Sequence, residues 1–252
     1  TNFFRGKGFP KFKKRSNNQS IQFPQGVTIE NNKIFIPKLK WIDIIQHRKI
    51  GEGIIKTVTV SKTNTGKYFV SILIDNQNEL PNKKPVHEDT TIGIDVGLKT
   101  FAVLSDGTEF NSPKFLREQL RRLRIEQKKL SRRFKKGKKI SEQSKSWHKQ
   151  RLIVAKLHEK ISNRRKDFLQ KTSTAIIKQY DTICLENLNI QGMIQNSKLS
   201  KSISDVSWAS FNSMLEYKAA WYGKTIIYIG RFEPSSKICS SCGTINKELK
   251  LE

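Results

Sequence analysis

The chain has 252 residues, 36% of them hydrophobic, enough for one large or two smaller globular domains with apolar cores. Its 48 Lys and Arg against 22 acidic residues leave a formal net charge of +26, far outside the range of ordinary soluble enzymes, so a polyanionic partner is expected. No stretch has the roughly 20 apolar residues of a bilayer span and no signal-peptide core opens the chain, so nucleic acid in the cytoplasm is expected, with an anionic membrane surface as the rival.

Residues 1–19 are dense in Lys, Arg and Phe without a helical or strand period. They read as an extended basic arm whose Lys11, Lys13, Lys14 and Arg15 suit phosphates. From Ile21 to Asp75 short β-like runs take over, including Val27–Glu30 and Lys33–Ile36, with Asn31-Asn32 as a tight turn between them. Alternation in Ile54/Lys56/Val58/Val60 and in Tyr68/Val70/Ile72/Ile74 predicts a hairpin across Asn64-Thr65-Gly66. The polar, proline-containing stretch Asn76–Thr90 reads as a linker, with a domain boundary near residue 88.

Thr91–Val96, Thr100–Leu104 and Thr108–Phe110 follow as three strands with short links, an antiparallel meander. Pro113 opens a helix with Leu116, Leu120, Leu123, Leu130 and Phe134 on one face, and Gly137 ends it. A longer helix carries the stripe Val154, Leu157, Ile161, Phe168, Thr172 and Ile176. It leads into a strand, Thr182–Leu185, ending at Glu186. Ser207 is placed to cap a helix with Trp208, Phe211, Leu215 and Tyr222, and Thr225–Ile229 makes a last strand. Three strands, helices, strand, helix, strand is the order of an α/β fold of the RNase H-like kind.

Asp95, in Gly93-Ile94-Asp95-Val96-Gly97, and Glu186, in Leu185-Glu186-Asn187-Leu188, both close apolar strands. Either one alone reads most simply as a turn or cap residue. Together they suit two-metal phosphodiester hydrolysis, in which convergent carboxylates hold divalent ions, and oxygen ligands favour magnesium or manganese. Gly-Ile-Asp-x-Gly also occurs in nucleotide-binding kinases and ATPases, but a short, strongly basic chain without a hydroxyl-rich phosphate loop argues against them.

Between Lys114 and Lys166 there are 21 Lys or Arg against four Glu. Leucines mark one helix face, and Arg121, Arg122, Arg124, Lys128, Lys129, Arg132 and Arg133 are expected to line a nucleic-acid channel. Lys99, Arg164 and Arg165 extend the set. Trp147 and His148 are open to two readings, base stacking or packing at a helix start. Cys239 and Cys242, in Cys-Ser-Ser-Cys-Gly, have the spacing of half a zinc site, while a tail without metal is the competing reading. Cys184, on a predicted core strand, reads as an apolar residue.

Three strings together carry a family resemblance. Gly93–Gly107 resembles the first RuvC motif of the TnpB family, transposon-encoded relatives of type V CRISPR effectors, and Cys184–Met193 resembles the second. The third runs from Ser204-Asp205-Val206-Ser207-Trp208 through Leu215-Glu216-Tyr217-Lys218 to Arg231-Phe232 and Cys239–Gly243. The resemblance implies a β-rich, barrel-like wedge domain with arm and linker over 1–88. A RuvC-like RNase H-fold nuclease domain with a basic helical insertion at 113–180 would occupy 89–231, and a partial zinc ribbon 232–252. It implies that Asp95 and Glu186 are the first two catalytic acids. A third, an Asp after a second Cys-x-x-Cys pair, would lie beyond Glu252, and a helical recognition segment ahead of Thr1. The function so implied is RNA-guided DNA cleavage, with guide RNA and double-stranded DNA as partners and Mg2+ or Mn2+ as cofactor. Zn2+ would be held only by a complete ribbon. A nuclease-inactive RNA-guided DNA-binding protein, repressor-like, is the alternative.

Overall fold

A computed structural model describes residues 19–97, 100–112, 115–188, 207–230 and Thr244, with side chains from Gln119 onward in the first helix. The chain divides into two compact units, Thr1–Glu79 with Arg121–Lys160, and Leu80–Leu120 with Ile161–Glu252.

The first unit holds six strands: β1 (Gln19–Phe23), β2 (Thr28–Glu30), β3 (Lys33–Ile36), β4 (Lys40–Asp43), β5 (Ile54–Lys62) and β6 (Tyr68–Asp75). They form two three-stranded antiparallel sheets, ordered β1-β5-β6 and β2-β3-β4. Asn31 and Asn32 both take positive φ in the β2–β3 turn, the conformation that asparagine tolerates and a tight hairpin requires. The β5–β6 hairpin closes at Gly66, as the Asn-Thr-Gly signal predicts. Ile34, Ile36 and Val58 are fully buried, joined by Phe23, Ile29, Val60, Val70 and Ile72.

The expected barrel is corrected here: the two sheets do not close on one another. Closure needs a continuous hydrogen-bonded circuit with matched strand tilt. Strands of three to five residues on β1 to β4 leave separate ladders instead.

Helix α1 (Phe115–Arg133) contributes to both residue ranges, as does α2 (Lys145–Gln179). Within the first unit Leu123, Trp147, Val154 and Leu157 are buried.

The second unit is built on a five-stranded sheet of β7 (Thr91–Val96), β8 (Thr100–Leu104), β9 (Glu109–Asn111), β10 (Thr182–Glu186) and β11 (Thr225–Ile229), ordered β11-β10-β7-β8-β9. β7, β8 and β9 run antiparallel, while β7, β10 and β11 run parallel. That order and those directions are what the predicted sequence of elements requires of an RNase H-like sheet. Parallel neighbours need a crossover, and helix α3 (Trp208–Tyr222) lies between β10 and β11 in the chain. One sheet face meets Leu169, Ile176 and Ile177 of α2 and Trp208, Phe211 and Leu215 of α3. Phe101 sits at a register shift in β8 and packs edge to face on Phe168 and Phe211, centroids 5.0 Å away in both cases.

Ser207 precedes α3 as expected, but in the left-handed region and without a side-chain capping hydrogen bond. At the other end Gly223 takes φ 63°, and an added Cβ would lie 2.7 Å from the carbonyl oxygen of Asn82. The linker backbone therefore packs against a position that only glycine fits. Asp181 accepts from both Lys84 and Lys224 at this end, which holds its carboxyl below the usual range, chiefly through Lys224.

Candidate active site and nucleic-acid surface

The β7–β10 ladder decides where the two acids go. Ile183 stands beside Ile92, Cys184 beside Gly93 and Leu185 beside Ile94. Continued by one step, that register would set Glu186 beside Asp95. Parallel neighbours in register show their side chains on the same face, with strands about 4.8 Å apart. Ile92, Ile94, Ile183 and Leu185 belong to the buried core, so alternation turns Asp95 and Glu186 to the opposite face. Asp95 is exposed and Glu186 half-buried.

Both acids sit on interior strands, with β7 held by β8 and β10, and β10 by β7 and β11. Val103 pairs with Asp95 on one side and Ile229 with Glu186 on the other, so apolar residues flank the acids along the row. Gly97 closes β7 because its backbone N–H binds the carbonyl of Phe101 at 3.2 Å. A Cβ there would meet the carbonyl oxygen of Thr100 at 2.8 Å, so the close approach that this glycine permits is the chain's own. Cys184 shares the carboxylate face, half-buried rather than in the core, and burial raises its thiol pKa. No cluster of three or more His, Cys, Asp or Glu forms among the described residues.

The basic residues of α1 sort into two stripes. Arg122, Lys129 and Arg133 lie beside Glu126, at helical spacing. Lys129 pairs with Glu126 at 2.8 Å, and Arg133 donates to Oε1 of the buried Gln150 at 2.9 Å. Gln150 donates in turn to the carboxylate of Glu126 at 2.6 Å. These bonds hold the Glu126 carboxyl below its ordinary pKa, through Lys129 first and Gln150 second. Arg121, Arg124, Lys128 and Arg132 form the other stripe, exposed and bonded to no other described residue.

Trp147 is 7% exposed and packs beside Phe134 and His148, so its role is packing, not stacking on bases. Arg164 and Arg165 are half-buried and already engaged. Lys11, Lys13, Lys14, Arg15, Lys99, Cys239 and Cys242 lie outside the described residues.

Sequence reasoning missed Lys218. It is buried on α3, its ammonium donating to the carbonyl oxygen of Gln170 at 2.9 Å and to Ser173 Oγ and Thr174 Oγ1 at 2.7 Å each, and burial lowers its pKa. A signal existed: Phe211, Leu215 and Lys218 continue one helical stripe. Trp147, Gln150 and Val154 do the same at the start of α2.

The class these features define is an α/β protein whose mixed sheet has RNase H-like strand order and carries paired carboxylates at adjacent strand ends. Residues 70–197 match the OrfB_IS605 family model, described as "Probable transposase", and residues 208–252 match the Cas12f1-like TNB domain. The chain belongs to this family, the TnpB family that its motifs imply. It is 35% identical over 256 residues to a Streptomyces pristinaespiralis protein named "Putative RNA-guided DNA endonuclease", covering 99% of this chain and 61% of that one. A protein of the same description, InsQ of Escherichia coli K12, is 34% identical over 269 residues, covering 99% and 63%. The chain thus spans about three fifths of the length of these curated relatives. Among solved structures, Cas12f1 in complex with sgRNA and target DNA matches with TM-score 0.50 at 20% identity, over 77% of this chain and 39% of that one, a likeness of fold. Among the described residues no helix is long and apolar enough to cross a membrane.

Proposed function

We propose that this chain forms part of an RNA-guided DNA endonuclease that hydrolyses phosphodiester bonds with Asp95 and Glu186 as metal-binding carboxylates. The observation that supports this reading is the β7–β10 ladder, in register up to Leu185 and Ile94, the residues just before the two acids. Two neighbouring carboxylates repel each other, and a divalent cation held by both relieves that repulsion. An all-oxygen donor pair fits Mg2+ or Mn2+ better than softer ions. When bound, such an ion supplies an activated water and stabilisation of the leaving oxygen. The chain's own contribution is rigidity: both acids are mounted on strands hydrogen-bonded on two sides, so their spacing is set before substrate arrives.

Guide RNA and double-stranded DNA are the proposed partners, supported by the relatives' names and by the +26 charge. The free stripe of α1, Arg121, Arg124, Lys128 and Arg132, is the best-placed phosphate surface among the described residues. In such a division of labour base pairing reads sequence and the protein reads the backbone of the heteroduplex. Cys239 and Cys242 are proposed as half of a zinc site that two further thiolates would complete.

Magnesium-dependent cleavage of a target duplex by the gene's full product with its co-purifying RNA tests the reading. Asp95→Ala and Glu186→Ala should each abolish cutting while leaving RNA binding intact. Cutting at the parental rate by Asp95→Ala would remove the site assignment.

A further inference from the structure

The outer face of the β2–β3–β4 sheet carries an aromatic pair that the proposed chemistry does not use. Phe35 and Trp41 are direct cross-strand partners whose rings meet edge to face, centroids 5.5 Å apart at 62°. Ile34 and Ile36, on either side of Phe35, are buried in the core, so alternation turns the aromatic pair outward. Phe35 braces the indole, yet Trp41 stays 47% exposed.

The turn that delivers Trp41 adds a second observation. Between β3 and β4 the N–H of Leu39 bonds the carbonyl of Ile36 at 3.0 Å, with Pro37 at the first corner and Lys38 at φ 70°, the pattern of a type II turn. Lys40 follows at φ 59°. Both left-handed positions favour Gly or Asn, because a Cβ crowds the backbone there. Each carries an exposed lysine instead, and neither lysine side chain is bonded to any other described residue. Backbone strain retained at one place points to use. From Lys33 to Lys49 the sequence has five basic residues and one acid, Asp43, which Lys33 already pairs at 3.7 Å.

We propose that Trp41, braced by Phe35, is a stacking platform for an unpaired base of a single-stranded nucleic acid, with Lys38 and Lys40 on the adjoining turn meeting its phosphates. A base of any kind offers a π-face to an indole, and the cationic turn supplies the charge complement of a strand. This rests on the reading of the chain as a nucleic-acid-binding protein and is independent of Asp95 and Glu186.

The test is fluorescence anisotropy of a labelled single-stranded oligonucleotide, as RNA and as DNA, titrated with the 252-residue chain across a salt series, alongside thermal melts. Trp41→Ala should weaken binding by about tenfold at every salt concentration, and Trp41→Phe should keep most of the affinity. The double variant Lys38→Gly/Lys40→Gly should flatten the slope of log K against log salt by about 1.4, while its melting temperature holds or rises as the strained turn relaxes. Equal losses on RNA and DNA mark base and phosphate contacts, and a loss on RNA alone marks a strand also read through its 2′-hydroxyls; both support the platform. Parental affinity in a well-folded Trp41→Ala overturns it. So does an unchanged salt slope in the glycine variant, which decides alone if Trp41→Ala melts early. A parent chain that binds neither strand overturns the nucleic-acid reading itself, a failure distinct from loss of cleavage.

Discussion

Asp106 and Tyr180 show how individual side chains tie distant parts of the second unit together. The Tyr180 hydroxyl donates to the Asp106 carboxylate, which also accepts the Thr108 N–H at 2.8 Å. That bond to Tyr180 is the main reason the Asp106 carboxyl titrates below its ordinary range, and it pushes the phenol up to about 12. The signs follow by linkage. A depressed carboxyl contributes stability above the unfolded pKa, near 4, that is lost as pH falls through the folded value. A raised phenol contributes stability below about 10 that is lost as pH climbs towards about 12. Tyr180→Phe should therefore flatten both limbs of a plot of melting temperature against pH, and equal slopes in parent and variant would deny the bond. None of this was legible in the sequence, since a tyrosine after a helix and an aspartate in a turn declare no mutual contact across 74 positions. The strands that carry Asp95 and Glu186 were legible, because each is an apolar run, and strand periodicity is a local property.

Elements divide along the same line between local and non-local causes. The Asn31-Asn32 turn and the β5–β6 hairpin follow from turn chemistry a few residues long, so the sequence predicts them. Whether six strands close into one barrel depends on pairings far apart in the chain, and the barrel expectation failed there. Ser207 has the right residue type for a cap, but the left-handed backbone at that position, a conformation that residue type does not specify, accompanies a side chain with no capping bond. Helix α1 shows a further limit: a dense run of Lys and Arg reads as one surface, while geometry separates a structural stripe from a free one. Gln150→Ala removes the hub between Glu126 and Arg133 and should cost about 1–3 kcal/mol, measured by denaturant unfolding. Replacing Arg121, Arg124, Lys128 and Arg132 together by Gln should leave that unfolding curve in place and lower the salt slope of nucleic-acid binding by about 3. Loss of stability in the quadruple variant, with an unchanged slope, would reverse the assignment of the two stripes.

For the whole molecule, a net charge of +26 and an RNase H-like sheet are compatible with many roles. The proposed chemistry rests on the β7–β10 register, whose continuation would set residues 95 and 186 on the sheet face opposite the core packed by α2 and α3. The directions of β7 and β10 produce that placement, since a strand reversed would carry its last residue to the other end of the sheet. A crystal of the protein grown with Mn2+ and measured for anomalous scattering tests it most directly. The expected result is a manganese peak within about 2.0–2.2 Å of carboxylate oxygens from both Asp95 and Glu186. Side chains of residues 95 and 186 directed to opposite faces of the sheet, or a manganese peak bound elsewhere with both carboxylates bare, would contradict it.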